Sequence, residues 1–239
     1  MSVSDLNYPG NGAARPVRLP SPAELVDVWW CALAVDDDAL TELSSWLSPA
    51  EHARARRYSR PALARRYVAG RAALRWILAR ETNVVPTNVA IERGVRGRPF
   101  CAGAPDFNVS NTASVALIGV CRDATARIGV DVEHGERRLD HARLARKFLT
   151  ADERHDLEPF DDDGRRRAFL RLWTCKEAMS KATGDALRAP IGRMTVSRTP
   201  ELRLADGPAP YVPEAWRLHA VDVPAPFMAT LALWRPGIV

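Results

Sequence analysis

The stretch Arg127-Ile128-Gly129-Val130-Asp131-Val132-Glu133 (RIGVDVE) alternates apolar side chains with small or acidic ones. A period of two is the mark of a β-strand with one buried face. Ile128, Val130 and Val132 share one side; Gly129, Asp131 and Glu133 share the other. Residues two apart on a strand lie roughly 6.5–7 Å apart on the same face. Two carboxylates so placed can share one hard divalent cation, and Mg²⁺ takes one or two carboxylates with waters and substrate phosphate oxygens. An antiparallel strand with a solvated acidic face gives the same pattern.

On either side of this strand the chain reads as short strands and helices. Upstream, Val28–Val35 (VWWCALAV) is an apolar run ended by Asp36–Asp38. Ser48-Pro49-Ala50-Glu51 reads as a helix start, with an N-cap, Pro at the first helical position and an early acid. Pro61–Arg80 is a second, arginine-rich helix with Leu63, Tyr67, Leu74 and Leu78 on its apolar side. Val89–Glu92, Phe107–Ser110 and Ser114–Cys121 read as strands, and Gly94–Pro99 as a turn. Downstream, His141–Leu149 and Arg165–Thr183 carry helical patterns, and Thr195–Ser197, Trp216–Val221 and Ala229–Leu233 are short strands. Helices against strands in each half make an α+β protein rather than a βαβ repeat. The expected divisions are an N-terminal tail over residues 1–24, one half over 25–124 and a second over 125–239.

Arginine and lysine number 34 against 29 acids, a net charge of +5, which favours anionic partners. No apolar run reaches the roughly 18 residues of a membrane span. The first twenty residues lack the apolar centre of a secretory signal, so they read as a flexible tail and the protein as cytoplasmic. Cys31, Cys101, Cys121 and Cys175 stand far apart, which points to free thiols rather than zinc or disulfides. The five histidines form no metal spacing, and no Walker A loop, GxGxxG or GxSxG motif is present.

The helix Arg165–Thr183 holds an anomaly. At about 100° per residue, Phe169, Leu172, Trp173 and Met179 share one apolar arc, and Lys176 projects into its middle. Glu177 sits at the edge, with Lys181 one turn further on. A lysine on an apolar face must reach water along its stem or meet an anion, and a phosphate would satisfy it. A snorkelling lysine beside a solvated Glu177–Lys181 pair accounts for the same residues.

GVDVE at Gly129–Glu133, with WTCKEAMSKATG at Trp173–Gly184 starting forty positions after Glu133, resembles the paired motif of the surfactin-type 4'-phosphopantetheinyl transferases. Weaker similarity runs through SPAEHARARRYSRPALARRYVAGR (Ser48–Arg71), RGRPF (Arg96–Phe100), FNVSNT (Phe107–Thr112) and FLTADE (Phe148–Glu153). The resemblance covers roughly residues 25–220.

The resemblance implies two pseudo-symmetric halves, each of helices on a small, mainly antiparallel sheet, with the active site in the cleft between them. It implies transfer of the 4'-phosphopantetheinyl arm of coenzyme A to a serine of an acyl or peptidyl carrier protein, releasing 3',5'-ADP. Asp131, Glu133 and Glu177 match the acids that hold Mg²⁺, or Mn²⁺ in its place. Lys176 and Lys181 match lysines near the pyrophosphate, and Arg54 and Arg66 basic residues near the nucleotide. Arg98 and Pro99 match the turn beside the adenine, and Ser110 the strand end that approaches the 3'-phosphate. Asn111 stands where the family usually carries histidine, so the grip on that phosphate is expected to be weaker. Glu177 is the expected acceptor of the serine proton, with Glu153 in reserve, and Lys181 adds positive charge. An acidic carrier protein is expected at Gly184–Ser197, steered by Arg188 and Arg193; a solvated loop fits those arginines equally. With both halves in one chain, a monomer suffices.

Two other readings compete. A nucleic-acid-binding module would explain the basic charge, but no helix-turn-helix, zinc-finger or RNA-recognition motif accompanies it. A coenzyme A-binding relative without catalysis would explain Asn111, against the intact Asp131, Glu133 and Glu177.

Overall fold

The computed structural model describes residues 8–9, 15–94 and 96–237. Strands β1 (Val17–Leu19) and β2 (Val26–Ala32) are followed by helices α1 (Asp37–Ser45), α2 (Pro49–Arg56) and α3 (Pro61–Thr82). A hairpin of β3 (Ile91–Arg93) and β4 (Pro99–Cys101) leads into β5 (Asp106–Asn111) and β6 (Val115–Cys121). Next come β7 (Arg127–His134) and helices α4 (His141–Phe148), α5 (Ala151–His155) and α6 (Asp162–Thr183). Strands β8 (Thr195–Ser197), β9 (Arg203–Asp206), β10 (Trp216–Val221) and β11 (Phe227–Trp234) follow α6. The larger sheets have the orders β1-β2-β6-β5 and β10-β11-β7, and every strand pair within them is antiparallel. The class is α+β, as the alternation of patterns predicts.

Local chemistry sets the helix starts. Ser48 and Glu51 form a reciprocal capping box on α2 with Pro49 in its first turn, so two orphan amides are satisfied at once. Asp36, which reads as the end of a strand, also accepts the Ala39 amide and caps α1. That helix escapes a reading based on the stronger start at Ser48.

The expected N-terminal tail needs correcting. Residues 1–7 and 10–14 lie outside the described residues. Val17–Leu19, however, pair with β2, and Tyr8 is buried edge-on against Trp46 and Trp76. Arg18 also pairs with the buried Asp27, which ties this strand down electrostatically.

Among the described residues, three apolar clusters build the core. One packs α1 and α3 on the N-terminal sheet, with Trp76, Leu74 and Phe107 at its centre. A second surrounds α6, with Phe169, Met179 and Tyr211. The third joins Val26, Val28 and Leu117 of the first sheet to Ile128, Val130, Val132 and Leu231 of the second. The apolar face of β7 therefore points at the other sheet. Its opposite face lies under α6, and Gly129 shows how closely: a Cβ there would stand 1.9 Å from the Ala178 carbonyl oxygen. Only glycine lets helix and strand backbones approach so far. The solvated acidic face is thereby excluded, because α6 covers it.

Candidate active site

Strand β7 supplies Asp131 and Glu133, and α6 supplies Glu177 and Lys181 one turn apart. Asp131 is only 5% exposed. Its Oδ1 accepts hydrogen bonds from Lys181 Nζ at 2.6 Å and from Ser110 Oγ at 2.8 Å. Its Oδ2 is buried with no hydrogen-bond partner among the described residues. An anionic oxygen left in this way is costly unless a cation or donor meets it. Ser110 is fully engaged: its one proton goes to Asp131, and its oxygen accepts from Lys181 Nζ at 2.8 Å and from the Val132 amide at 3.3 Å.

Glu177 is half-buried beside them. Burial, then the negative charges of Asp131 and Glu133, push its pKa above the ordinary carboxylate value, with Lys181 opposing. The three acids thus feel one another, but they do not close into a ligand set. Glu133 Oε1 accepts from Arg137 at 2.7 Å, and Asp131 Oδ1 is held by Lys181. Among the described residues no group of three or more His, Cys, Asp or Glu is arranged to hold a metal ion.

Lys176 and Glu153 require a larger correction. Lys176 is wholly buried and donates to Glu153 Oε2 at 2.6 Å, to the Phe148 carbonyl at 2.9 Å and to the Ile191 carbonyl at 3.1 Å. All three ammonium protons are spent. Glu153 also accepts the Thr150 amide at 2.9 Å and the Val196 amide at 2.8 Å. The anion that Lys176 needs is a carboxylate of its own chain rather than a phosphate. Burial lowers its pKa from the ordinary lysine value, against the pull of Glu153. The pair fastens α5 and β8 to α6, which leaves Lys176 no contact to offer a pyrophosphate and Glu153 no part as a reserve base.

The predicted nucleotide residues divide into two groups. Arg54, Arg66, Pro99 and Asn111 line one cavity of about 260 Å³. Tyr58, Tyr67, Arg71 and Arg93 line it too, and the sequence reading passed over them. The Arg54 guanidinium lies 5.6 Å from the Tyr67 ring centre, and Arg71 is paired with Glu51. Burial, then repulsion from Arg54 and Arg71, lowers the pKa of Arg93. Such crowding of guanidinium groups suits a polyanion.

Arg98, by contrast, turns away from this cavity. It makes a two-bond fork to Asp106 at 2.6 and 2.7 Å and donates to the Ile128 carbonyl at 2.7 Å and the Lys181 carbonyl at 3.1 Å. Ser110 likewise faces Asp131. The expectation that these two side chains meet the cofactor is corrected: both are committed between β5, β7 and α6. Arg188 and Arg193 are exposed, in short 3₁₀ turns after α6.

Residues 127–225 match a family model described as the 4'-phosphopantetheinyl transferase superfamily. The chain is 34% identical over 191 residues to the 4'-phosphopantetheinyl transferase HetI of Nostoc sp., covering 78% of this chain and 79% of the relative. This protein belongs to the 4'-phosphopantetheinyl transferase superfamily. It is also 28% identical over 185 residues to the transferase psf-1 of Bacillus pumilus, covering 75% of this chain and 77% of the relative. With the transferase Sfp of Bacillus subtilis it shares 25% identity over 154 residues, covering 64% and 66%. The phosphopantetheinyl transferase is therefore an enzyme, and Asp131, Glu133, Glu177 and Lys181 fall within the matched residues. No helix among its described residues is long and apolar enough to cross a membrane.

Proposed function

We propose that this transferase moves the 4'-phosphopantetheinyl group from coenzyme A, with Mg²⁺, to a serine of an acidic apo acyl or peptidyl carrier protein and releases 3',5'-ADP. The observation that carries this reading is Asp131: a buried carboxylate with one oxygen on Lys181 and the other without a partner among the described residues. Strand β5 connects that carboxylate to the arginine-lined cavity, since Ser110 bonds Asp131 and the next residue, Asn111, lines the cavity.

The donor set fits a hard cation in its chemistry. Asp131 offers an unused buried oxygen, and Glu177 is a carboxyl whose proton affinity is raised by burial and its acidic neighbours. Glu133 would give up Arg137, a partner four residues on whose own side chain is half-exposed. Asp131, Glu133 and Glu177 would hold Mg²⁺, which when bound neutralises diphosphate charge and stabilises the leaving oxygen. Phosphoryl transfer asks the protein for alignment and charge more than covalent help.

The chain's own groups divide the work. Arg54, Arg66, Arg71 and Arg93 hold the nucleotide phosphates. Lys181, with 26% of its side chain exposed, adds positive charge beside Asp131. Glu177, with its raised proton affinity, accepts the proton of the attacking serine. Arg188 and Arg193 meet the acidic carrier. Both halves of the fold stand in one chain, so a monomer is sufficient.

Intact mass spectrometry of a panel of apo carrier proteins, incubated with enzyme, coenzyme A and Mg²⁺ or with EDTA, tests the reading. A gain of one phosphopantetheine on the serine, abolished by EDTA, is expected. No gain on any carrier, or the same gain in EDTA, would overturn it.

A further inference from the structure

Strand β5 lies at the end of the first sheet and β7 at the end of the second, so each has an edge unpaired by its own sheet. Their side-by-side contact is unusual. The Ile128 amide donates to Asp106 Oδ2 at 2.8 Å, the Val130 amide to Asn108 Oδ1 at 3.1 Å, and the Val132 amide to Ser110 Oγ at 3.3 Å. Each bond spans 22 residues, so the two strands advance together in the parallel sense. Three alternate side chains of one strand take the place of the carbonyls that a neighbouring strand would present. An edge strand's free amides are costly when buried, and Asn108 and Ser110 are both buried.

We propose that Asp106, Asn108 and Ser110 form a side-chain ladder that sets the register of β7, with Asn108 a positioning residue for Asp131. This rests on the reading of Asp131 as a carboxylate of the cation site. The central rung has the greatest leverage, because the Val130 amide immediately precedes Asp131. Slipping a strand by one residue sends every side chain to the opposite face, and Asp131 would then point away from Glu177 and Lys181. The lower rung is itself braced: Arg98 forks onto Asp106 and ties it to the Ile128 and Lys181 carbonyls. On its other face β5 presents Phe107 to the core and Asn111 to the arginine-lined cavity. One strand therefore gauges the distance from nucleotide to acids.

Asn108→Leu keeps the branched four-atom side-chain shape and removes the acceptor; Asn108→Asp keeps the acceptor. With Asn108→Leu, kcat for carrier modification is expected to fall about ten- to a hundred-fold, the effect of a small misplacement of reacting groups. KM for coenzyme A stays within about twofold, Mn²⁺ binding followed by electron paramagnetic resonance weakens, and Asn108→Asp recovers most of kcat. An unchanged kcat in Asn108→Leu, or a loss that Asn108→Asp does not recover, would overturn the proposal. Asp131→Asn serves as the separate control. If it binds Mn²⁺ as wild type does, the cation reading fails, and the split between kcat and KM still decides the ladder. Should Asn108→Leu not fold, hydrogen exchange of the wild-type protein decides. The Ile128, Val130 and Val132 amides are expected to exchange as slowly as those facing β11, and rapid exchange would refute the ladder.

Discussion

Lys176 Nζ lies 2.6 Å from Glu153 Oε2, with neither side chain more than 1% exposed. Removing one member of a buried pair strands the other charge, which costs about 3–5 kcal/mol. Lys176→Met is expected to lose that much in urea unfolding, because Glu153 is left with its two amide donors. The double variant Lys176→Met with Glu153→Gln should lose clearly less than the two single losses added together. Strict additivity would show that the two groups do not act as a pair.

Gly129 sits where β7 touches the α6 backbone. Gly129→Ala would place a methyl 1.9 Å from the Ala178 carbonyl, and backbone cannot retreat as a side-chain tip can. A loss of about 3 kcal/mol or more is expected, at the upper end of overpacking costs. Gly97→Ala is a poor comparison because φ there is positive. A melting temperature unchanged in Gly129→Ala would disprove the close approach.

Glu177 gives a pH dependence of definite sign. Its folded pKa is raised, so between the ordinary carboxylate value and the folded one the native state binds more protons than the unfolded chain. Stability therefore falls as pH rises through that window and stays lower above it. In EDTA, Glu177→Gln should melt above wild type at neutral pH and converge with it in acid, while losing carrier modification. A wild-type advantage at neutral pH in EDTA would reverse the sign and refute the environment described for Glu177.

Asn111 lines the arginine-rich cavity from the exposed end of β5. An amide donates a neutral hydrogen bond, whereas a protonated imidazole donates a charged one of roughly twice the strength. Asn111→His is expected to lower KM for coenzyme A severalfold below pH 6.5 and to leave KM for 3'-dephospho-coenzyme A unchanged. Equal effects on both cofactors would place Asn111 away from the 3'-phosphate.

Period-two alternation was enough to place β7 and to sort its acids onto one face, and helical period to mark Lys176 as an intruder on an apolar arc. Both readings follow from geometry that a chain carries locally. What lay beyond them was partnership. Nothing in the pattern around Lys176 distinguishes a phosphate from Glu153, which is 23 positions away and buried by tertiary packing. Likewise Arg98 looks like a binding arginine until its fork onto Asp106 is seen. Asp106 and Asn108 did leave a trace: DFNVSN alternates polar and apolar residues, and its polar face turned out to be buried rather than wet. The short β1 was missed because three residues give too little pattern, and their pairing with β2 is what holds them.

The apolar cluster shared by the two sheets bears on how the molecule can be taken apart. Cutting the chain between β6 and β7 would leave Val28 and Leu117 oily on one fragment, and Ile128, Val130 and Leu231 on the other. Neither piece is expected to stay in solution by itself, whereas the two co-expressed should complement each other. The uncut enzyme should accordingly melt in a single calorimetric transition.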